Sequence, residues 1–501
     1  MEIGKNMALG AHSANIADFT DQDRERLSAR GYAEEVLPLG KKQRTWETKN
    51  FITVWMGPIH NILSYFTVVS FFAFGLNATQ VVAAILIAAC IVSAGYVFNG
   101  RAAAKYGIPF AMQIRDTFGI RGAAFPAMIR GLVAGFVFFG LTTIASAQAL
   151  DIVLARLFPR FLEVGGGATI AGLAIPTAIS YAIMTAITVV LYLSGQALIN
   201  KFSEFASPVV WVLMVIGVFL AIGNAGGLGE VFSYHPAAGT EVTVVGFITC
   251  VSMLVSNWAG PIVNTGDFTR NATSMSAPMK GFPIGMLVSY TLFAMVTVSF
   301  MASLSALTGG AVDVNKPTIF VDAINSIGNP FIVMLLILAM NVGATAFVVF
   351  GNMMPSGLQL TAQFPKLFNV KTGGLVAAVV GTLILPWKFV ENTTMLFLFY
   401  SFIGSMFGPI AGIMLASYFF ERRQKLDLDV IYPEPGTDGG HEGGVNRRAV
   451  GVLIVSFIIT MAGKVFPGIP VLATINSWAF FSGLTIGFMG YLLLVGGRKN
   501  A

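Results

Sequence analysis

Apolar residues gather along this chain into twelve runs, near 51–74, 78–99, 127–152, 170–194, 206–223, 243–264, 283–307, 330–350, 373–387, 394–418, 449–466 and 475–495. A helix needs about 20 residues to cross the hydrocarbon core of a bilayer. Most of the runs reach that length, and the ninth is short. Backbone inside lipid must satisfy its own hydrogen bonds, so each run is expected to be a helix. The fold class predicted is an all-α membrane protein of about twelve transmembrane helices. Polar stretches between the runs are short, with three exceptions: the tail 1–49, the segment 101–126 and the loop 421–446. The loop contains Gly436-Thr-Asp-Gly-Gly-His-Glu-Gly-Gly444 and reads as a flexible connector. The tail lacks a short apolar core followed by a cleavage site, so no signal peptide is expected. No stretch has room for a separate soluble domain.

Composition agrees with lipid as the surrounding solvent. Of 501 residues, 55% are hydrophobic and 11% are charged, against roughly 25% charged in a soluble domain. The net charge of +6 would suit nucleic acid, but its distribution argues against that partner. With the N-terminus placed in the cytoplasm and the runs alternating, 25 of the 30 Lys and Arg residues fall on the cytoplasmic side, five of them in 101–130. That asymmetry is the positive-inside signature. It predicts a multi-pass protein of the cell (inner or plasma) membrane, with both termini cytoplasmic and the basic loops facing anionic lipid heads. Cys90 and Cys250 lie inside apolar runs and read as small buried hydrophobes.

Several chemistries are missing. There is no phosphate-binding Gly-x-x-x-x-Gly-Lys-Ser/Thr loop to drive transport with ATP. No His-Glu-x-x-His or Gly-x-Ser-x-Gly pattern appears, and four His residues make no metal cluster. No catalytic residue, metal site or organic cofactor is expected, and the chain does not read as an enzyme. A channel would want repeated rings of charge or of presented carbonyls. What remains is a secondary transporter of a small polar solute, with a membrane solute sensor that moves nothing as the alternative.

The most informative local feature is a repeated phrase. Trp55-Met-Gly57-Pro58-Ile59-His60-Asn61 lies in the first run, and Trp258-Ala-Gly260-Pro261-Ile262-Val-Asn264 in the sixth. Pro removes a backbone donor and Gly lowers helicity, so Gly57, Pro58, Gly260 and Pro261 predict helix breaks. Breaks in runs one and six suggest two five-helix halves with a binding site at their interface. Ionisable groups at membrane depth are few. His60 lies in the first break, Asp151 near the end of run three, and Asp267 and Arg270 close run six and are expected to pair with each other.

These phrases resemble the nucleobase–cation symporter family 1, the cytosine/purine/uracil/thiamine/allantoin permeases. The matching stretches are Asn50-Phe-x-x-x-Trp-Met-Gly-Pro-Ile-His-Asn61, Tyr106-Gly-Ile-Pro-Phe110 with Phe118-Gly-Ile-Arg-Gly122, Asn257-Trp258 with Asp267-Phe-Thr-Arg270, Gly351-Asn352 with Phe364-Pro-Lys366, Pro386-Trp387-Lys388, and Gly408-Pro-Ile-Ala-Gly412. The resemblance implies a five-plus-five inverted repeat (LeuT-like) with two extra C-terminal helices. The divisions would be 1–49 as tail, 50–225 and 242–420 as repeats, 421–446 as cytoplasmic loop and 447–497 as the added pair. It implies uptake of a small planar heterocycle by alternating access, with a monomer as the expected unit. Asn61 and Asn352 should hydrogen-bond the ring's edges, beside Asn257, while Trp258 stacks on its face. Phe138 and Thr142 stand where many members carry Trp and Gln. Phe can still stack, but Thr cannot make a two-pronged amide contact. Sodium-coupled members of this fold hold the ion with carbonyls of helix one, here those of Gly57 and His60, and hydroxyls of helix eight. The corresponding stretch, Gly343-Ala-Thr-Ala346-Phe347, lacks hydroxyls at the expected positions. The coupling ion is therefore proton or sodium, with proton preferred and His60 or Asp267 as carriers.

Overall fold

A computed structural model of the chain describes residues 16–236, 242–316, 319–390 and 393–496. Each of the twelve apolar runs contains helix. Among the described residues eight helices are long and apolar enough to cross a membrane singly: Ala78–Tyr106, Ala124–Leu157, Ile175–Leu193, Glu204–Ala225, Ser276–Leu307, Pro330–Gln363, Phe397–Glu421 and Glu442–Val465. Three runs contain shorter apolar helices, Ile62–Ala73, Val244–Asn257 and Val370–Leu383. The twelfth is a pair, Pro470–Ser477 and Ala479–Val495, bent by 95° at Trp478. The twelve runs are numbered in chain order as spans one to twelve, a label for position in the chain.

Local chemistry sets the helix ends. Pro176 and Pro330 open spans four and eight in the first turn, where a missing N–H is harmless. Asn77, Asn329 and Asn369 cap spans two, eight and nine with side-chain oxygens on backbone N–H groups. Small residues let the backbones of spans ten and twelve close on each other. Gly404, Gly408 and Gly412 face the backbone of Phe480 and Leu484, and Gly483 and Gly487 face Pro409. Such glycine ridges are the usual means of close helix packing where no hydrophobic effect drives association. Outward faces are apolar, as at Phe205, Phe219 and Leu493.

Spans one and six are both interrupted, but not alike. Span one is helical over Thr48–Thr53 and Ile62–Ala73, with residues 54–61 non-helical between them. Gly57 and Pro58 lie inside that gap, as predicted. Span six runs Val244–Asn257, Ala259–Val263 and Gly266–Thr269. Its first interruption falls on Trp258, two residues before the predicted Gly260-Pro261. Those two residues belong to the first turn of Ala259–Val263, where Pro261 removes an N–H that would have had no intrahelical partner. The helical ladder partly survives, with Trp258 O accepting from Ile262 N at 2.9 Å.

The loop 421–446 is not a free connector. Gly436, Gly439, Gly440, Gly443 and Gly444 all have positive φ, between 58° and 86°. Their abundance serves tight turns rather than freedom. The Tyr432 side chain is fully buried and donates to Val36 O at 2.6 Å, while Arg30 donates to Tyr432 O at 2.6 Å. Tail residues Phe19, Leu27, Val36 and Leu37 form a second apolar cluster with Leu428, Ile431 and Tyr432. Beside it Asp116 is buried with Arg422 at 3.4 Å, and desolvation outweighs that cation, pushing the carboxyl up to about 6. The tail and this loop thus cover one end of the bundle, called the N-terminal face below.

Candidate functional site

Four irregular backbone segments meet at the centre of the bundle. Besides the interruptions of spans one and six, span eight carries a π-helical turn at Val349–Met353, and span three carries another at Ile129–Ala134. Such turns insert an extra residue into a helix and often mark functional sites.

The gap in span one is held by side chains that satisfy its freed groups. The Asn61 carboxamide oxygen accepts from Ser64 N at 2.9 Å, and its Nδ2 donates to Pro58 O at 2.8 Å and to Ser64 Oγ at 2.9 Å. Both amide hydrogens and one carbonyl lone pair are therefore in use. Asn257, the last helical residue before the interruption in span six, donates to the same Ser64 Oγ at 3.4 Å. Trp211 of span five donates to Met56 O at 3.3 Å. The amide of Asn61 is thus occupied as a helix cap. Asn61→Ala is expected to lower stability by about 1–2 kcal/mol in thermal unfolding of the purified protein, with Asn61→Ser retaining most of it. Equal melting of both variants with the parent would remove the capping role.

Trp258 is fully buried, with ring edges on three sides. Trp55 is at 5.1 Å, Phe347 at 5.6 Å and Tyr290 at 6.2 Å between centroids, each near-perpendicular. Phe138 lies apart from it, packed on Phe399 at 5.2 Å. Among the described residues no ring contact joins Phe138 to Trp258. Asn352 sits in the π turn of span eight, 2% exposed, and its Nδ2 has no partner. Thr142 Oγ1 is likewise buried and unpartnered.

Of the four residues proposed for the cation, Gly57, His60 and Gly343 come together. A Cβ built on Gly343 would lie 2.7 Å from both Gly57 O and His60 O, so span eight touches the two carbonyls of the gap at this glycine. Ala346 and Phe347, one turn further on, bring no oxygen, and the Thr345 hydroxyl is turned back onto Asn341 O at 2.9 Å. His60 Nδ1 meets the Tyr65 hydroxyl at 2.6 Å, and its buried Nε2 has no partner. Tyr65 is clamped between Phe293 and Phe320, stacked at 4.3 Å on each side.

Two readings of charge are corrected. Asp267 and Arg270 make no ion pair within 4.0 Å among the described residues. Asp267 accepts from Phe110 N at 2.9 Å and from Asn264 Nδ2 at 2.7 Å, while Arg270 donates to Glu35 O and Leu37 O of the tail. Each finds backbone partners that a sequence cannot display. Arg130, counted among the basic loop residues, is instead buried inside the bundle at 1% exposure. Its Nε donates to Asn264 Oδ1 at 3.0 Å and its Nη2 to Gly351 O at 2.5 Å, joining the irregular segments of spans three, six and eight. The signal was its position, three residues inside the third apolar run.

A cavity of about 630 Å³ opens on the N-terminal face, lined by Trp46, Asp267, Arg270, Phe350, Met354 and Lys371 among others. On the opposite face a cavity of about 190 Å³ is lined by Phe66, Phe74, Asn315 and Phe397 among others. Neither reaches Asn61, Phe138, Thr142, Asn257, Trp258 or Asn352.

A multi-pass bundle with interrupted helices around a sealed, aromatic, partly unsatisfied polar centre defines a membrane solute transporter rather than an enzyme. A family profile described as "Permease for cytosine/purines, uracil, thiamine, allantoin" matches residues 38–483. The chain belongs to that family. It is 35% identical over 476 residues to the "Putative allantoin permease" of Escherichia coli (strain K12), covering 95% of this chain and 96% of that protein. It is 32% identical over 478 residues to the "Allantoin permease" of Bacillus subtilis (strain 168), covering 95% and 94%. In fold it is similar to Mhp1, a nucleobase-cation-symport-1 family transporter solved closed with bromovinylhydantoin bound: TM-score 0.74, 23% identity, 93% of this chain and 94% of that one.

Proposed function

We propose that this chain imports a small planar heterocycle, of the allantoin, hydantoin or uracil kind, by alternating access across the cell membrane, driven by a cation gradient. The observation that carries the proposal is the pairing of a fully buried indole, Trp258, with the unpartnered Asn352 Nδ2 where interrupted spans meet. A flat ring on the indole face gains apolar contact. An amide beside it gives the ring edge a donor in a site from which water is excluded. The names of the two allantoin permeases support a ureide ring. The N-terminal face, which gathers most of the Lys and Arg residues, is read as cytoplasmic. The larger cavity on that face then suits a carrier open inward.

Proton coupling is favoured over sodium. The carbonyls of Gly57 and His60 converge, but the span-eight side adds only Gly343, Ala346 and Phe347, too few oxygens for a hard cation. His60, with one nitrogen on Tyr65 and the other free, is the better proton carrier. Asp267 already accepts at both oxygens, as a carboxylate does.

Reconstitution in vesicles tests the whole reading. Uptake of labelled allantoin, hydantoin or uracil is expected to collapse with a protonophore and to persist when choline replaces sodium. Loss on sodium removal with no protonophore effect defeats proton coupling. Saturable binding with no uptake replaces the transporter by a sensor.

A further inference from the structure

The buried Arg130 has a vacancy in its hydrogen bonding that the fold does not fill. Nε and Nη2 are engaged by Asn264 and Gly351, but Nη1 is sealed from solvent with no partner. The guanidinium lies against Gly260, where a Cβ would stand 3.1 Å from Nε and 3.2 Å from Cζ. Two residues before Gly260 is Trp258, and one residue after Gly351 is Asn352. Arg130 therefore borders the same centre as the two residues assigned to the ring. The lining of the 630 Å³ cavity includes Asp267, which Asn264 Nδ2 contacts, and Phe350, the residue before Gly351.

Among the unsatisfied atoms here donors prevail, although Gln113 Oε1, against Gly266, and Gln148 Oε1 of span three are unpartnered acceptors. Arg130 Nη1, Trp258 Nε1, Trp55 Nε1 and Asn352 Nδ2 are buried and unpartnered, and each can only donate. The hydroxyls of Tyr96, Tyr290 and Thr142 are also unpartnered and serve either way. The Trp258 indole N–H lies near the Tyr290 hydroxyl; where it donates there, that hydroxyl's hydrogen is the free donor in its place. Gln359 and Asn341 leave both amide ends open and do not tilt the balance. A buried polar group without a partner is costly, and a buried cation more so. The guest that relieves this centre brings acceptors.

Resting on the transporter reading above, we propose that Arg130 is a specificity-determining residue. Its free Nη1 donates to a ring carbonyl, so the site selects rings rich in carbonyl acceptors, the cyclic imides and ureides, over rings in which an amino or imino group replaces a carbonyl. A guanidinium N–H to a carbonyl is a charge-assisted bond. An amino group in that place presents donor to donor, and its own desolvation goes unrewarded.

Matched rings test this on the purified full-length protein. Uracil is compared with cytosine, and hydantoin with its 4-imino analogue, by equilibrium binding. The parent is expected to hold the carbonyl member of each pair at least about tenfold more tightly. Arg130→Gln is expected to weaken the carbonyl members about ten- to a hundredfold while changing the others little, so that the ratio collapses. Arg130 also ties three spans together, so Arg130→Lys, which keeps the charge, serves if the first variant does not fold, with a partial fall in the same ratio expected. The comparison on the parent needs no variant at all. A parent without preference, or an Arg130→Gln that weakens both members of a pair equally, overturns the proposal. Asn352→Ala, run alongside, should weaken both members alike. A parent that binds none of the four rings sinks the transporter reading and this inference together, whereas binding without an Arg130-dependent ratio sinks only the inference.

Discussion

Asn352→Ala is expected to abolish uptake while leaving the empty protein as stable as the parent, or slightly more so. Stability and transport separate here because of what the side chain lacks. A buried amide that holds the fold together shows its partners, as Asn446 does, donating to Thr117 O at 2.8 Å and to the Tyr491 hydroxyl at 3.0 Å. Asn352 Nδ2 has none. Its removal takes away an unmet desolvation cost instead of a bond, and that cost is on the order of 1–3 kcal/mol. With the ring bound the sign reverses, because the amide then makes its contact in a dry site. Losing it should weaken binding about ten- to a hundredfold. Uptake falls further still if closure around the ring depends on that contact. The measurements are uptake in vesicles, surface expression and thermal unfolding without ligand. Unchanged uptake would remove Asn352 from the site. A large drop in melting temperature alongside lost uptake would make it a structural amide.

The apolar runs were legible because a spanning helix must be about 20 residues of apolar side chain whatever its neighbours do. The gap in span one was legible for a similar local reason, since Pro58 removes a backbone donor and Gly57 lowers helicity in mid-run, although Gly408-Pro409 stays inside the helix Thr393–Ala416. Span six shows where that logic ends. The same dipeptide, shifted by two residues relative to the interruption, becomes a harmless first turn, and only the backbone at Trp258 shows which register was chosen. Counting glycines in 436–444 could not tell a loose linker from a set of left-handed turns, because both want glycine. Arg130 was hidden by its place at the edge of a run. Whether an arginine three residues inside an apolar stretch leaves toward lipid heads or turns inward depends on a π turn and on partners more than a hundred residues away. The amide of Asn61 raised the opposite difficulty, a residue type suited to a substrate that the fold uses as a cap.

Gly343→Ala is expected to cost transport at least about tenfold and to lower stability by about 1–3 kcal/mol, the usual penalty for an added methyl with no room. The atoms in its way are backbone. The new Cβ would stand 2.7 Å from Gly57 O and from His60 O and 3.3 Å from His60 C. A long side chain could swing aside, but these carbonyls belong to a gap already pinned by Asn61, by Ser64 and by Trp211 on Met56 O. Relief requires span one and span eight to part along their whole contact. That parting is also the motion by which one group of helices rocks past the other in the proposed cycle, so the variant should favour whichever state holds these spans further apart. Binding of the ring from one side can therefore survive where uptake does not, and the comparison of the two in the same preparation carries the test. A Gly343→Ala protein that melts and transports like the parent would show that the two carbonyls do not need span eight so close. The convergence at Gly343 would then lose its place in the coupling mechanism, whichever cation drives it.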